Sequence, residues 1–166
     1  MGASPLFSKY LASYSAEMVE FESDGERDSL TGLLAPARFV AILESELAIA
    51  AREGRPLTLL TLSLSTTSNS TSSHAMDPLT TESAERLLKN LAKTLLVQMR
   101  AGDHCGRVAE DGFWILARGD KSGAEIAANR YLSEHERSDW LIAYCEVAAG
   151  ESARELLRRV DSYYFA

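Results

Sequence analysis

The chain has 166 residues, a length that suits one domain with an ordinary core, and its 46% hydrophobic and 25% charged content excludes a disordered polymer. Acidic side chains outnumber basic ones 24 to 17, a formal net charge of −7, which excludes a general nucleic-acid binder but leaves room for a small anion held by one or two local arginines. The apolar runs are too short to cross a bilayer, Met1 to Tyr10 lack the pattern of a signal peptide, and Cys105 and Cys145 make neither a disulfide framework nor a metal-site spacing, so reduced thiols in a cytoplasmic compartment are expected.

Residues 1–27 read as a helical lead-in. Leu6, Phe7, Tyr10, Leu11, Tyr14 and Met18 recur at the spacing of an amphipathic helix, and the acidic stretch Glu20 to Asp28 follows. Such a connector joins a domain to a neighbour, a partner protein or a second copy. Pro36 opens the first long helix, Phe39, Ile42, Leu43, Leu47 and Ala50 mark its buried stripe, and Gly54-Arg55-Pro56 stops it. Leu57 to Ser65 is a strand with Leu60, Leu62 and Leu64 alternating with Thr and Ser. Thr61 to Ser73 holds 10 Ser/Thr in 13 residues, so all but its first part reads as a polar loop, with His74 solvated in it.

A second helix is predicted over Thr80 to Arg100, striped by Leu87, Leu88, Leu91, Leu95, Leu96 and Met99 and closed by Gly102. Cys105 to Val108 and Phe113 to Ala117, joined by a tight turn, form a hairpin. A helix over Ser122 to Glu136, a strand over Leu141 to Ala148 and a closing helix over Ser152 to Tyr164 follow, with Trp114 and Trp140 in or near the core. This order predicts an α/β (α+β) fold, a central, mostly antiparallel but mixed sheet flanked by helices.

Four segments carry a family likeness. Asp28-Ser-Leu-Thr-Gly-Leu33 resembles the DxLTGL opening of GGDEF domains, the diguanylate cyclase family. Arg107-Val-Ala-Glu-Asp-Gly-Phe113 resembles the family's RxGGDEF hairpin, with the signature positions at Ala109, Glu110, Asp111, Gly112 and Phe113. Arg100-Ala-Gly-Asp103 sits where the family's product-binding RxxD lies, and Leu157-Arg-Arg-Val-Asp161 resembles its closing helix. The resemblance spans 28–166 and implies a nucleotidyl cyclase-like fold. Active members join two GTP molecules into cyclic di-GMP across a homodimer, with metal ions neutralising phosphate charge.

The same resemblance implies that the catalytic machinery is degenerate. Ser63 falls where the family has a metal-binding Asp, with Ser65 two residues on, and a neutral hydroxyl does not replace a carboxylate on a hard cation. The next carboxylate along the chain is Asp77. Gly112 replaces an essential Glu, Glu110 sets a negative charge where phosphates pass, and Ala35 replaces the Asn of the opening motif. No metal and no cofactor are expected, magnesium entering only with leftover cyclase activity.

Glu85 falls at the acidic guanine-reading position, and reads also as a first-turn acid favoured by the helix dipole. Arg100 and Asp103 suit a cyclic-di-GMP site, because a guanidinium fork fits phosphate or a guanine edge and a carboxylate accepts from guanine N1/N2. They read equally as a helix-end arginine with its counter-ion. Arg158-Arg-Val-Asp161 repeats the tetrapeptide, so only the place of Arg100, nine residues before Ala109, distinguishes it. The resemblance implies a further arginine from the following helix at that site, for which Arg130 is the candidate, though it reads also as a solvated helix arginine, and Arg107 is expected to pair with a carboxylate and fix the hairpin.

Three readings follow. One is a catalytically inactive GGDEF-type domain acting as a cyclic-di-GMP receptor or regulator. The second is a protein-interaction or dimerisation domain that binds no nucleotide, and the third a cyclase with leftover activity. None involves nucleic acid or membrane insertion.

Overall fold

The computed structural model describes residues 24–65 and 81–165, with side chains followed to Val160 in the last helix. The lead-in helix, most of the Ser/Thr loop, His74 and Asp77 lie outside the described residues. In chain order the elements are α1 (Pro36–Glu53), β1 (Leu57–Leu64), α2 (Thr81–Gln98), β2 (His104–Ala109), β3 (Gly112–Arg118), α3 (Lys121–Leu132), β4 (Trp140–Glu146) and α4 (Ala153–Phe165), with a 3-10 turn at Arg137–Asp139 before β4.

The strands form one sheet in the order β2-β3-β1-β4, and every neighbouring pair is antiparallel. The parallel component is confined, among the described residues, to a single bridge between Leu34 and Gly106. That bridge lays the segment before α1 along the outer edge of β2, with Leu34 N donating to Cys105 O and Arg107 N to Leu34 O. An open edge strand is thereby covered.

Helices cover both faces of the sheet. On one, Phe39, Leu43, Leu47 and Ala50 of α1 and Leu156, Leu157 and Val160 of α4 pack against Leu57, Leu59, Trp114 and Leu116. On the other, Leu88, Leu91 and Leu95 of α2 and Ala128, Tyr131 and Leu132 of α3 pack against Leu60, Leu62, Leu64, Phe113 and Ile115. The sequence alternation in β1 is therefore half of its burial. Its odd positions are covered too, and both Thr58 and Thr61 are buried. The Thr58 hydroxyl meets that burial by donating to Gly119 O at 2.9 Å. Trp114 meets Phe39 edge to face and Trp140 stacks on Phe113, so both tryptophans are core residues. The sheet separates the two thiols, Cys105 lying in one core and Cys145 in the other, and burial pushes both up in pKa.

Of the Arg158-Arg159 pair, Arg159 is the one that docks α4. Its Nε donates to Glu151 Oε2 at 2.8 Å and its Nη2 to Glu151 Oε1 at 2.7 Å, while Ala148 N donates to the same Oε1 at 2.9 Å. Burial works against the charged carboxylate, but these hydrogen bonds outweigh it and hold Glu151 below its ordinary 4.5. A depressed carboxylate stabilises the fold fully above its unfolded pKa and loses that contribution as pH falls through the folded one. The stability gap between wild type and Glu151→Gln is therefore expected to be present at about pH 6 and to shrink by about pH 3, measured by urea unfolding at both.

Candidate functional site

Two places carry the predicted site residues, one at the β2–β3 turn and one at the start of β2. At the turn, Ser63 near the end of β1 pairs with Gly112 on one side and Leu141 on the other. Glu110 and Asp111 form the turn itself, after a bulge between Arg107 and Ala109. Leu64 N donates to Asp111 O at 2.9 Å, which closes the turn onto the end of β1.

Arg107 fixes this hairpin from below. Its Nη1 lies 3.1 Å from Asp28 Oδ1 and its Nη2 donates to Glu110 O at 2.9 Å. Asp28 in turn accepts from Thr31 N at 2.9 Å and from Thr31 Oγ1 at 2.7 Å through Oδ2. Asp28 and Arg107 are both buried, so the opening motif and the hairpin signature are two halves of one internal ion pair.

At the turn Glu110 and Asp111 keep carboxylates, but Ser63 and Ser65 offer only neutral hydroxyls, Gly112 offers no side chain, and no three His, Cys, Asp or Glu among the described residues are grouped to hold a metal ion, a thin donor set for a hard cation. Gly112 is also sterically committed. A Cβ there would lie 2.5 Å from Leu62 O and 3.0 Å from Ser63 Cα, both backbone atoms of β1. The position that holds an acid in the family pattern has no room for a side chain in this sheet.

The second place is a cavity of about 620 Å³ lined by Arg100 and Asp103. Helix α2 ends at Gln98, and the chain turns through Arg100–Asp103, with Asp103 N donating to Arg100 O at 3.1 Å. Gly102 takes φ +91° in that turn, the left-handed conformation that favours glycine. Asp103 Oδ1 accepts from Arg118 N at 3.0 Å, tying the turn to the end of β3. Oδ2 has no partner among the described residues, and Arg100 is exposed with its guanidinium likewise unpaired among them. The pair thus presents one planar donor and one acceptor to the same space.

Arg130 lies outside that lining. Its guanidinium sits over the Tyr131 ring, 5.0 Å from the centroid, and its Nη2 is buried. Tyr131 is coupled to Asp103: burial first, then the charge of Asp103, raises its phenol pKa. Glu85 is exposed on the first turns of α2, in a surface groove shared with Arg86, Lys89 and Lys93.

Several cavity residues carry no motif in the sequence. Arg27, Arg38 and Ile42 line it from the segment before α1 and from α1 itself, Leu95 and Leu96 from α2, and Met99 from just past the end of α2. Arg38 and Ile42 stand four apart on one helix, so they share a face. That spacing is a signal for the pair once a ligand face is sought. His104 also lines the cavity and lies 3.4 Å from Glu46 of α1, whose other oxygen is 3.6 Å from Arg118.

No family model and no curated protein matches the sequence. Solved structures do. The chain resembles a microbial GGDEF domain that interacts with bis-(3′,5′)-cyclic di-GMP, at 25% identity and a TM-score of 0.65 over 82% of this chain and 86% of that one. It resembles the GGDEF domain of DgcB from Caulobacter crescentus in complex with c-di-GMP, at 16% identity and a TM-score of 0.67, covering 86% of this chain and 90% of that one. The FimX GGDEF domain from Pseudomonas aeruginosa matches at 18% identity and a TM-score of 0.63, covering 83% and 90%. The chain has the fold of a GGDEF domain, an α+β architecture with a nucleotidyl cyclase-like antiparallel sheet.

Proposed function

We propose that this chain is a catalytically inactive GGDEF-type signalling domain that binds cyclic di-GMP through Arg100 and Asp103 and acts as a receptor or regulatory module. The observation that carries the reading is the joint placement of these two side chains on one cavity, each with polar capacity left over. A volume of about 620 Å³ falls in the range of small-molecule sites. The guanidinium fork suits a phosphodiester or the Hoogsteen edge of guanine, and Asp103 Oδ2 suits the guanine N1 and N2 donors. Interactions of two neighbouring structures with cyclic di-GMP support the ligand class. Inactivity rests on Ser63 and Gly112 in place of carboxylates and on the charge of Glu110. The working assembly is a cytoplasmic domain whose lead-in serves a partner protein or a homodimer. No helix among the described residues is long and apolar enough to cross a membrane.

The test is a titration of cyclic di-GMP in magnesium-free buffer, since Arg100 rather than a cation supplies the positive charge. Arg100→Ala is expected to lose about 1.5–3 kcal/mol, roughly ten- to 150-fold in affinity. Arg158→Ala, in the repeated tetrapeptide on α4, is expected to change little, and binding is expected to weaken with salt. An assay with GTP and Mg²⁺ or Mn²⁺ is expected to yield no cyclic di-GMP. Absence of heat at high ligand concentration would overturn the receptor reading and leave an interaction module.

A further inference from the structure

We infer that Arg38 is a second phosphate anchor of the Arg100 cavity and that Glu26 competes with the ligand for it. This deepens the receptor reading and rests on it. Three guanidiniums line the cavity, those of Arg27, Arg38 and Arg100, against the carboxylates of Glu26 and Asp103. Their commitments differ. Arg27 Nη1 donates to Gly32 O at 3.0 Å and so helps shape the segment before α1. Arg100 has no partner among the described residues. Arg38 holds Glu26, its Nε 3.0 Å from Oε2, and that pair is 47% and 66% exposed.

An ion pair so open to water is worth little, about 0.2–1 kcal/mol, because solvent screens it and both side chains lose rotamer freedom. A phosphodiester seated in the cavity is the stronger partner, since it is flanked by apolar walls from Ile42, Leu95, Leu96 and Met99 that reduce screening. The exchange needs no backbone movement. Arg38 stands in the first turn of α1, and that turn is held by Phe39 N donating to Ala35 O and Ala35 N donating to Glu26 O. Only the two side chains have to part. Two available guanidiniums then match a ligand with two phosphodiesters, while the aliphatic walls suit the faces of its bases. Glu26 sets a threshold: a ligand with a single phosphate satisfies Arg100 and leaves the Arg38–Glu26 pair in place.

The experiment compares cyclic di-GMP, with two phosphodiesters, and the linear dinucleoside GpG, with one, by calorimetry on wild type, Arg38→Ala, Glu26→Gln and the double variant. Arg38→Ala is expected to weaken cyclic di-GMP about tenfold and to leave GpG within about twofold. Glu26→Gln is expected to tighten cyclic di-GMP by up to about fivefold, the converted value of a surface pair, and to give no gain once Arg38 is alanine. If wild type binds and Arg100→Ala loses binding while Arg38→Ala does not, the second anchor is overturned and the receptor reading stands. Equal losses for both ligands on Arg38→Ala would mean general attraction and also overturn it. No binding by wild type overturns the receptor reading and this inference together.

Discussion

Asp28→Ala is expected to lower stability by about 3–5 kcal/mol, the range for removing one partner of a buried ion pair. The reason is the charge left behind. Arg107 is buried, with its side chain 10% exposed against 1% for Asp28, and without the carboxylate its charge loses the ion-pair partner at 3.1 Å, while its Nη2 still donates to the Glu110 carbonyl. The same substitution frees Thr31 N and its hydroxyl, which both donate to Asp28 Oδ2. Arg107→Met is expected to be comparably harmful, because it strands the carboxylate and releases Glu110 O at the turn. Replacing both together is expected to cost much less than the sum, as neither charge is then left unpaired. Urea unfolding of the two single variants and the double variant measures this. A loss below about 1 kcal/mol for Asp28→Ala, or full additivity, would mean that the pair is solvated and does not join the opening motif to the hairpin.

That pair also marks how far the sequence could be read. The helices and strands announce themselves locally: Pro36 and Gly54 bracket α1, and two short apolar runs around Glu110-Asp111 make the hairpin. The need of Arg107 for a carboxylate was legible, but not which one, because Asp28 is 79 residues away and only the fold brings it near. The parallel component of the sheet was legible as a possibility of the element order, and shrank to the Leu34–Gly106 bridge because the segment before α1 supplies an edge rather than a strand. Leu57 and Leu59 are buried against α1 and α4, which the Leu60-Leu62-Leu64 alternation alone does not reveal. For the site, position in a motif pointed to Arg100 and Asp103, and both line one cavity. Arg27, in the segment before α1, and Arg38, in the first turn of α1, have no motif of their own, and what each lines depends on tertiary packing. For Arg130 the place along the chain is the sequence signal, and the structure sets its guanidinium over the ring of Tyr131, whose phenol feels the charge of Asp103.

Gly112 is where sequence logic and structure diverge in consequence. Judged by motif alone, Ser63→Asp with Gly112→Glu restores two missing carboxylates. In the sheet, Gly112 lies directly opposite Ser63, and a Cβ would come 2.5 Å from Leu62 O and 3.1 Å from Ser63 Cβ. Backbone in mid-strand cannot swing aside as the tip of a long side chain can. Leu64 N to Asp111 O, the bond that closes the turn onto β1, is the contact that must give. Gly112→Ala is therefore expected to cost about 1–3 kcal/mol from overpacking alone, and Gly112→Glu at least as much, with the hairpin losing protection in hydrogen exchange before the rest of the sheet. The paired Ser63→Asp, Gly112→Glu variant is expected to show no turnover of GTP with Mg²⁺, because the new carboxylate arrives on a displaced turn and Glu110 still repels phosphate. Comparing the alanine and glutamate variants separates shape from charge: similar losses assign the effect to the Cβ, whereas a harmless alanine assigns it to the carboxylate. A Gly112→Glu protein as stable as wild type, or metal-dependent synthesis of cyclic di-GMP by the paired variant, would show that the turn adapts to a side chain and that the catalytic site is dormant rather than dismantled.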